Sequence, residues 1–491
     1  MLENNQDAII KPMYLADKAD PETKKLVKRI RRFSFESKMH MIQEKSFSLW
    51  NRMMNSIPEE IRRYELPEEL EALAKFSVLC GEWDGNQVCF GEKDYTSFIN
   101  FIRKKSDFLI SDLDGEGYLN RLFPSLSARQ FWWQENIFSH FYRFRSYFGM
   151  QTAVLDMPKE FYDYFGFQYQ DAIRLTIDLF SYMDMIHRSA DFEQNKRQFD
   201  KIISKYRNAF SALCRSRTEV IEIADQFASS ESDYYSCLSP FALYPFIEYE
   251  DSFYFPIIHD LVLAITDSLM FRIHTERPSV KTNMNTVYEQ FLFQIVKGSD
   301  LFDAVVSEYT YDRGQKKTLD VLARKGGSYL LLDSKSYTPK ASLRIYDDNA
   351  LKNDIGRISE GIAQVYKHIR YRFGSEYNPF NTEINRDHVF GILALQTDSY
   401  IPRDNLYRKA AEIAEIPVHS PEFTWMRHHV LISDMRVLEK TLFTSSDILD
   451  QCEKTSEEGY VFLSPSKTEV TYQPYLDFIH EINRFAREEI I

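Results

Sequence analysis

The sequence has little cysteine and no long apolar run, and each absence excludes a class of protein. Its five cysteines, at positions 80, 89, 214, 237 and 452, form no Cys-x-x-Cys pair and no zinc-ligand spacing. Scattered, unpaired thiols are typical of a reducing compartment and argue against a disulfide scaffold. No apolar run approaches the ~18 residues that a membrane-spanning helix needs, and the first residues lack the pattern of a signal peptide. The sequence therefore predicts a cytoplasmic protein without a membrane partner.

The chain also has no excess of positive charge. Its 73 acidic residues outnumber 60 lysines and arginines and give a formal net charge of -13. A protein that coats nucleic acid through its bulk charge is therefore excluded, and any polyanion requires a local basic groove. A candidate groove is the basic cluster formed by Lys316, Lys317, Arg324, Lys325, Lys335, Lys340 and Arg344. A second basic cluster, in residues 24–32, indicates a solvated helix face or a dimer contact.

Length and periodicity predict more than one domain. A chain of 491 residues exceeds the size at which one hydrophobic core keeps growing, so about two or three domains are expected. Residues 1–230 have mainly helical periodicity and predict a helical domain that binds a partner, a substrate or a second copy of the chain. Residues 231–280 predict a connecting hairpin and helix, residues 281–440 an α/β domain, and residues 441–491 an extension with a terminal helix.

The α/β domain has a regular order of elements. Asn285 is a good N-cap for the first helix and Gly298 a good residue to follow its end. The predicted elements are helix 286–297, strands 301–309, 318–324 and 328–335, helix 351–372, strand 388–396, helix 403–414 and strand 429–433. The order αβββαβαβ predicts a mixed central sheet with helices on its faces.

Two neighbouring strands each carry a carboxylate where an apolar residue is expected. Gly326-Gly327 lies between them, and this pair favours a two-residue hairpin turn because glycine takes positive φ readily. Pairing Lys325 with Ser328 then sets Asp320 opposite Asp333, and strand alternation puts Lys335 on the face of Asp333. Opposed like charges destabilise a sheet, and a buried unpaired carboxylate is expensive. A divalent cation between the two carboxylates removes both penalties. The alternative is an exposed hairpin whose Asp and Lys form weak surface pairs.

This arrangement resembles the PD-(D/E)xK nuclease superfamily, which has the restriction-endonuclease-like fold. The resemblance covers about residues 283–435 and is carried by Glu289, Asp320 and Asp333-Ser334-Lys335. It implies that Asp320, Asp333, Glu289 and Ser334 form a site for Mg²⁺, or for Mn²⁺, and that Lys335 positions water or stabilises charge. Two features depart from the commonest pattern: Asp333 replaces the more usual glutamate, and Gln364 is followed by His368 where a tyrosine is common. The resemblance gives Gln364 a contact with the substrate backbone.

These features predict a Mg²⁺-dependent phosphodiesterase that acts on nucleic acid, in particular DNA. Lys316, Lys317, Lys340 and Gln364 are its predicted nucleic-acid contacts, while Asp320, Asp333, Lys335 and Glu289 are its predicted catalytic residues. By analogy with nucleases attached to unrelated helical domains, the chain is expected to serve a bacterial defence or mobile-element system. The alternative is a catalytically inactive nuclease-fold protein that binds nucleic acid or a partner subunit.

Overall fold

The computed structural model of the chain describes residues 21–55, 66–79, 88–111, 122–127, 136–188, 192–227, 235, 237–337, 340–345, 347–458 and 467–488. These residues divide into two compact units. The first comprises residues 1–118, 128–137 and 161–275, and the second comprises residues 119–127, 138–160 and 276–491. The second unit thus takes two segments from residues 1–230, the part that the sequence indicates as one helical region.

The first unit is mainly helical, with one small sheet. Strands β1 (Cys214–Ser216), β2 (Phe246–Tyr249) and β3 (Ser252–Tyr254) form this sheet, in which β2 and β3 are the predicted hairpin. The helices from residue 21 to residue 276 are α1 (Pro21–Ile30), α2 (Phe35–Asn55), α3 (Pro67–Leu79), α4 (Glu92–Ser111), α5 (Ile137–Phe148), α6 (Met157–Phe165), α7 (Tyr169–Arg188), α8 (Phe192–Lys205), α9 (Arg207–Leu213), α10 (Arg217–Phe227), α11 (Ile258–Leu263) and α12 (Leu269–Glu276). Of these, α5 after Ile137 and the start of α6 up to Glu160 belong to the second unit. A π-helical segment, Ala264–Ser268, separates α11 from α12.

The second unit contains a mixed five-stranded sheet and therefore confirms the α/β prediction at that level. The strands are β4 (Ala304–Ser307), β7 (Val321–Lys325), β8 (Ser328–Lys335), β9 (Val389–Leu395) and β10 (Val430–Asp434), in the order β10-β9-β8-β7-β4. Strands β4, β7 and β8 pair antiparallel, whereas β8, β9 and β10 pair parallel. A separate ribbon pairs β5 (Thr310–Tyr311) with β6 (Lys316–Lys317).

Helices cover both faces of this sheet, which explains why β9 is buried along its whole length. The helices of this unit from residue 278 onward are α13 (Pro278–Gly298), α14 (Asp348–Lys367), α15 (Arg403–Ile413), α16 (Pro421–His429), α17 (Met435–Phe443), α18 (Ile448–Glu458) and α19 (Gln473–Glu488). One core joins α14, α15 and α16 to the sheet through residues such as Leu331, Val365 and Leu393. Helices α13 and α17 also pack against the sheet, outside that core.

Two predicted boundaries are wrong for local reasons. The first helix begins at Pro278, with Arg277 as its N-cap residue, and not after Asn285. Proline suits the first helical position because its φ is preset and its missing N–H would have no partner there. The strand predicted over residues 301–309 is short because Asp300 adopts positive φ before it. After β4, a turn with positive φ at Asp312, Arg313 and Gly314 forms the β5–β6 ribbon.

Two glycines let helix α14 approach the sheet closely, and this contact gives a stability prediction. A Cβ at Gly391 would lie 2.3 Å from Val365 Cγ1, and a Cβ at Gly361 would lie 2.8 Å from Leu393 Cδ1. We expect Gly391→Ala to lower the free energy of unfolding by about 1–3 kcal/mol, because the helix must move away from the strand. Urea denaturation measures this change.

Gly356→Ala on the same helix is the matched control. No atom of the described residues lies within 4 Å of a Cβ built at Gly356. Alanine has the higher helix propensity, so this substitution is expected to raise the free energy of unfolding by roughly 0.5–1 kcal/mol. Equal stability of Gly391→Ala and the wild type would contradict the close helix-to-strand contact.

Candidate metal centre

The β7–β8 hairpin has the predicted register. Lys325 pairs with Ser328, and Val321 pairs with Leu332. Of the two turn glycines, Gly326 has positive φ (+56°), which suits the first central position of a type II′ turn. Continuing the register by one residue places Asp320, just before β7, opposite Asp333. The charge of Asp333 raises the pKa of Asp320, which agrees with this register.

Ser334 fixes the carboxylate of Asp320 at the end of the hairpin. The backbone N–H of Ser334 donates to Asp320 Oδ2 at 2.6 Å, and its hydroxyl donates to the same oxygen at 2.7 Å. Charge-assisted hydrogen bonds of this length hold a carboxylate firmly. Ser334 is therefore a positioning residue for Asp320, while its predicted direct contact with a metal remains a prediction.

Both carboxylates are buried, and burial raises the pKa of each. Asp320 is 8% exposed and Asp333 is 3% exposed. Burial raises the pKa of Asp320, the charge of Asp333 raises it further, and the two bonds from Ser334 lower it only in part. Burial also raises the pKa of Asp333 more than the nearby charge of Lys335 lowers it. Two like charges in a desolvated site repel each other, and a bound cation relieves that repulsion.

Lys335 lies beside Asp333 and is held by a neighbouring helix. Its Nζ lies 2.6 Å from Asp333 Oδ2 and donates to Gln364 Oε1 of α14 at 3.3 Å. Its side chain is 37% exposed, so the ammonium can reach a ligand from solvent. Apart from the ion pair, Asp333 Oδ2 is buried and accepts no hydrogen bond from the described residues. A carboxylate oxygen can accept more than one partner, so Asp333 Oδ2 can coordinate a cation beside its ion pair with Lys335.

Glu289 of helix α13 lies within electrostatic reach of the two strand acids. Its side chain is half-buried, and burial raises its pKa. The charges of Glu308 and Asp333 raise that pKa further, whereas Lys317 and Lys335 lower it. Glu289 in turn acts to raise the pKa of Asp320, so its charge is felt at the strand acids.

Glu308 is a fourth carboxylate at this site, and the sequence analysis missed it. Its backbone N–H donates to the carbonyl of Asp320 at 2.8 Å, and its charge raises the pKa of Asp333. The pairing of Ser307 with Val321 makes Glu308 the neighbour of Asp320. In the sequence, Glu308 is a carboxylate at the end of a predicted strand. Its position beside Asp320 can be recognised only when the register of β4 against β7 is known.

The predicted nucleic-acid contacts fall into two groups. Lys317 Nζ lies 2.8 Å from Glu308 Oε2, and the charges of Glu289 and Asp320 help to raise its pKa. Gln364 contacts Lys335. Lys316 instead pairs with Glu376 at 3.1 Å and Asp312 at 3.4 Å. Lys340 is exposed, and its positive charge acts to lower the pKa values of Asp347 and Asp354. Lys317 and Gln364 thus lie at the acid cluster, which comprises Glu289, Glu308, Asp320 and Asp333. The acidic residues that interact with Lys316 and Lys340 lie outside this cluster.

The ligand chemistry of the acid cluster suits Mg²⁺, with Asp320 and Asp333 as the ligand pair, but among the described residues no three of its four acids bring ligand atoms within 4.8 Å of one another. Glu289, Glu308, Asp320 and Asp333 offer only oxygen ligands, which hard divalent cations prefer. Lys317 and Lys335 supply two positive charges against these four acids, so a cation that binds here improves the charge balance. Asp333 Oδ2, which pairs with Lys335 Nζ, provides a buried ligand atom, and Mn²⁺ accepts the same ligands.

Comparisons with known proteins do not add to this description. A search of the described helices for a bilayer-spanning segment finds none. No protein-family model, curated protein or solved structure matched this chain.

Proposed function

We propose that this chain is a Mg²⁺-dependent nuclease that hydrolyses phosphodiester bonds in DNA. A restriction-endonuclease-like arrangement of the second unit is part of this proposal. The observation that carries it is the buried pair Asp320 and Asp333, in which Asp333 Oδ2 pairs with the Lys335 ammonium at 2.6 Å and accepts no other hydrogen bond from the described residues. Two buried carboxylates and a lysine at a strand end match the requirements of metal-assisted phosphodiester hydrolysis.

The proposed site divides the work among its own residues. Asp320 and Asp333 would hold the ion, and Glu289 would support it. When bound, Mg²⁺ polarises a phosphoryl oxygen and lowers the pKa of a coordinated water. Lys335 would place its positive charge where the phosphate accumulates negative charge in the transition state. Gln364 accepts from Lys335 at 3.3 Å and would limit the positions of the ammonium.

Substrate binding must overcome the acidic character of the chain. With a formal net charge of -13, the protein repels DNA at long range, so local cations must provide the contact. Lys317 is 66% exposed and pairs with Glu308. We assign it a phosphate contact near the acids, with Lys316 and Lys340 as contacts farther along the DNA backbone. The bound metal would neutralise part of the acid cluster before DNA approaches.

Cleavage assays test the proposed function directly. Supercoiled, linear and single-stranded DNA and RNA are incubated with the full chain in Mg²⁺, in Mn²⁺ or in EDTA. We expect cleavage of DNA in either metal and none in EDTA, because chelation removes the ion that activates water. Electrophoretic mobility shifts in Ca²⁺ measure binding separately. DNA binding without cleavage in either metal would favour the inactive nucleic-acid-binding alternative.

A further inference from the structure

A second group of metal-ligating side chains lies in the core of the first unit. Glu71 belongs to α3, whereas His259 and Asp260 begin α11. Their exposed fractions are 1%, 1% and 0%. One nitrogen or oxygen atom from each residue lies within 4.8 Å of the others. The three residues thus converge on one point although Glu71 is far from the other two in sequence.

The spacing of these atoms suits a tetrahedral ion. His259 Nε2 and Glu71 Oε1 are 3.5 Å apart, longer than the ~2.7–3.2 Å of most N–H···O hydrogen bonds. Ligands at Zn–N and Zn–O distances of about 2.0–2.1 Å in a tetrahedral site are separated by about 3.3–3.4 Å. The observed separation is therefore close to one edge of such a tetrahedron.

The ligand types of the group also suit a dication. Two carboxylates and one imidazole in a core position offer oxygen and nitrogen ligand atoms to one ion. Imidazole nitrogen is a preferred ligand of first-row transition ions, and carboxylate oxygen completes many zinc sites. The mixed nitrogen and oxygen set distinguishes this group from the all-oxygen acids of the second unit.

Neighbouring hydroxyls position the group. The Ser239 hydroxyl donates to Asp260 Oδ2 at 2.8 Å and so orients this carboxylate. The Ser46 hydroxyl accepts from the N–H of Ile258 at 2.8 Å and so fixes the first turn of α11. Residues that orient a ligand in this way are a regular part of metal sites.

We infer that Glu71, His259 and Asp260 bind a divalent transition-metal ion of the zinc type, with water as the fourth ligand. The ion would join α3 to α11 within the first unit. This inference does not depend on the proposed nuclease activity, because none of its ligands belongs to the acid cluster of the second unit.

Cobalt binding tests the inference in the full chain. Asp320→Asn combined with Asp333→Asn first removes ligands of the other site. The protein is stripped with a chelator and titrated with Co²⁺, and visible absorption and elemental analysis report geometry and stoichiometry. We expect one Co²⁺ per chain with tetrahedral absorption bands, and at least tenfold weaker binding after Glu71→Gln or Asp260→Asn. Ser239→Ala is expected to weaken binding by about tenfold, the lower end for a residue that orients a ligand.

His259→Cys provides a test that does not depend on loss of binding. Thiolate replaces imidazole as a ligand, so the variant should bind Co²⁺ and gain a sulfur-to-cobalt charge-transfer band. Asp267→Asn, on the π-helical segment that follows α11, is the matched control and should bind Co²⁺ like its parent. Absence of Co²⁺ binding in the parent would overturn the inference, and so would Co²⁺ binding by His259→Cys without the sulfur band.

Discussion

Asp333→Asn is expected to lower the rate of DNA cleavage by about 1000-fold or more, which corresponds to about 4 kcal/mol of transition-state stabilisation. The amide keeps the size of the side chain but removes the charge of the buried oxygen that we assign to the metal. The neighbouring Lys335, 2.6 Å from this oxygen, then adds an uncompensated positive charge that repels a cation. The loss should appear in kcat with Mg²⁺ and with Mn²⁺.

Asp387→Asn is the matched control for this effect. Asp387 is exposed and lies before β9, near the turn end of the hairpin, whereas Asp333 pairs with Leu393 farther along β9. Its substitution should leave the cleavage rate within about twofold because a single exposed charge contributes little. Circular dichroism and thermal unfolding establish that Asp333→Asn is folded. Wild-type cleavage by folded Asp333→Asn would refute the role of this residue and would point to a contaminating nuclease.

Lys335→Met is expected to lower kcat by about 100- to 1000-fold, the effect of removing one transition-state charge donor. Methionine keeps much of the unbranched side chain and removes the ammonium. Binding of Mg²⁺ should be retained or become tighter, because a positive charge next to Asp333 is gone. This combination separates Lys335 from the acids, whose loss should weaken metal binding.

Lys325→Met is the matched control for Lys335→Met. Lys325 belongs to the same hairpin but lies at its turn, where it pairs with Asp447. Its substitution should leave kcat unchanged, and Lys335→Arg should restore part of the activity by restoring the charge. A kcat for Lys335→Met equal to that of Lys325→Met would remove Lys335 from the proposed mechanism.

The hairpin and its acids could be predicted because the information is local. Gly326-Gly327 defines the turn, the alternation of side chains defines the faces, and both depend on residues that are close in sequence. The order of helices and strands after residue 283 was predictable for the same reason. The buried strands, with apolar residues flanked by polar turns, have few alternative interpretations.

The remaining parts of the site depend on contacts between distant segments. Glu308 reaches Asp320 only through the register of β4 against β7, and Gln364 reaches Lys335 only when α14 packs on the sheet. The residues Glu71 and His259 are brought together by packing within the first unit. No local pattern encodes such contacts. The start of α13 at Pro278 was missed because Asn285, a good N-cap residue, indicates a later start.

Titration calorimetry with Mn²⁺, performed on the wild type and on Asp333→Asn, tests most directly whether the two strand carboxylates hold one ion. The difference in bound Mn²⁺ per chain between the two proteins reports on this site alone, because any other Mn²⁺ site is the same in both proteins. The account predicts that folded Asp333→Asn binds one Mn²⁺ fewer than the wild type, or binds it at least about 100-fold more weakly because a charged ligand is lost. Identical stoichiometry and affinity in the two proteins would contradict it.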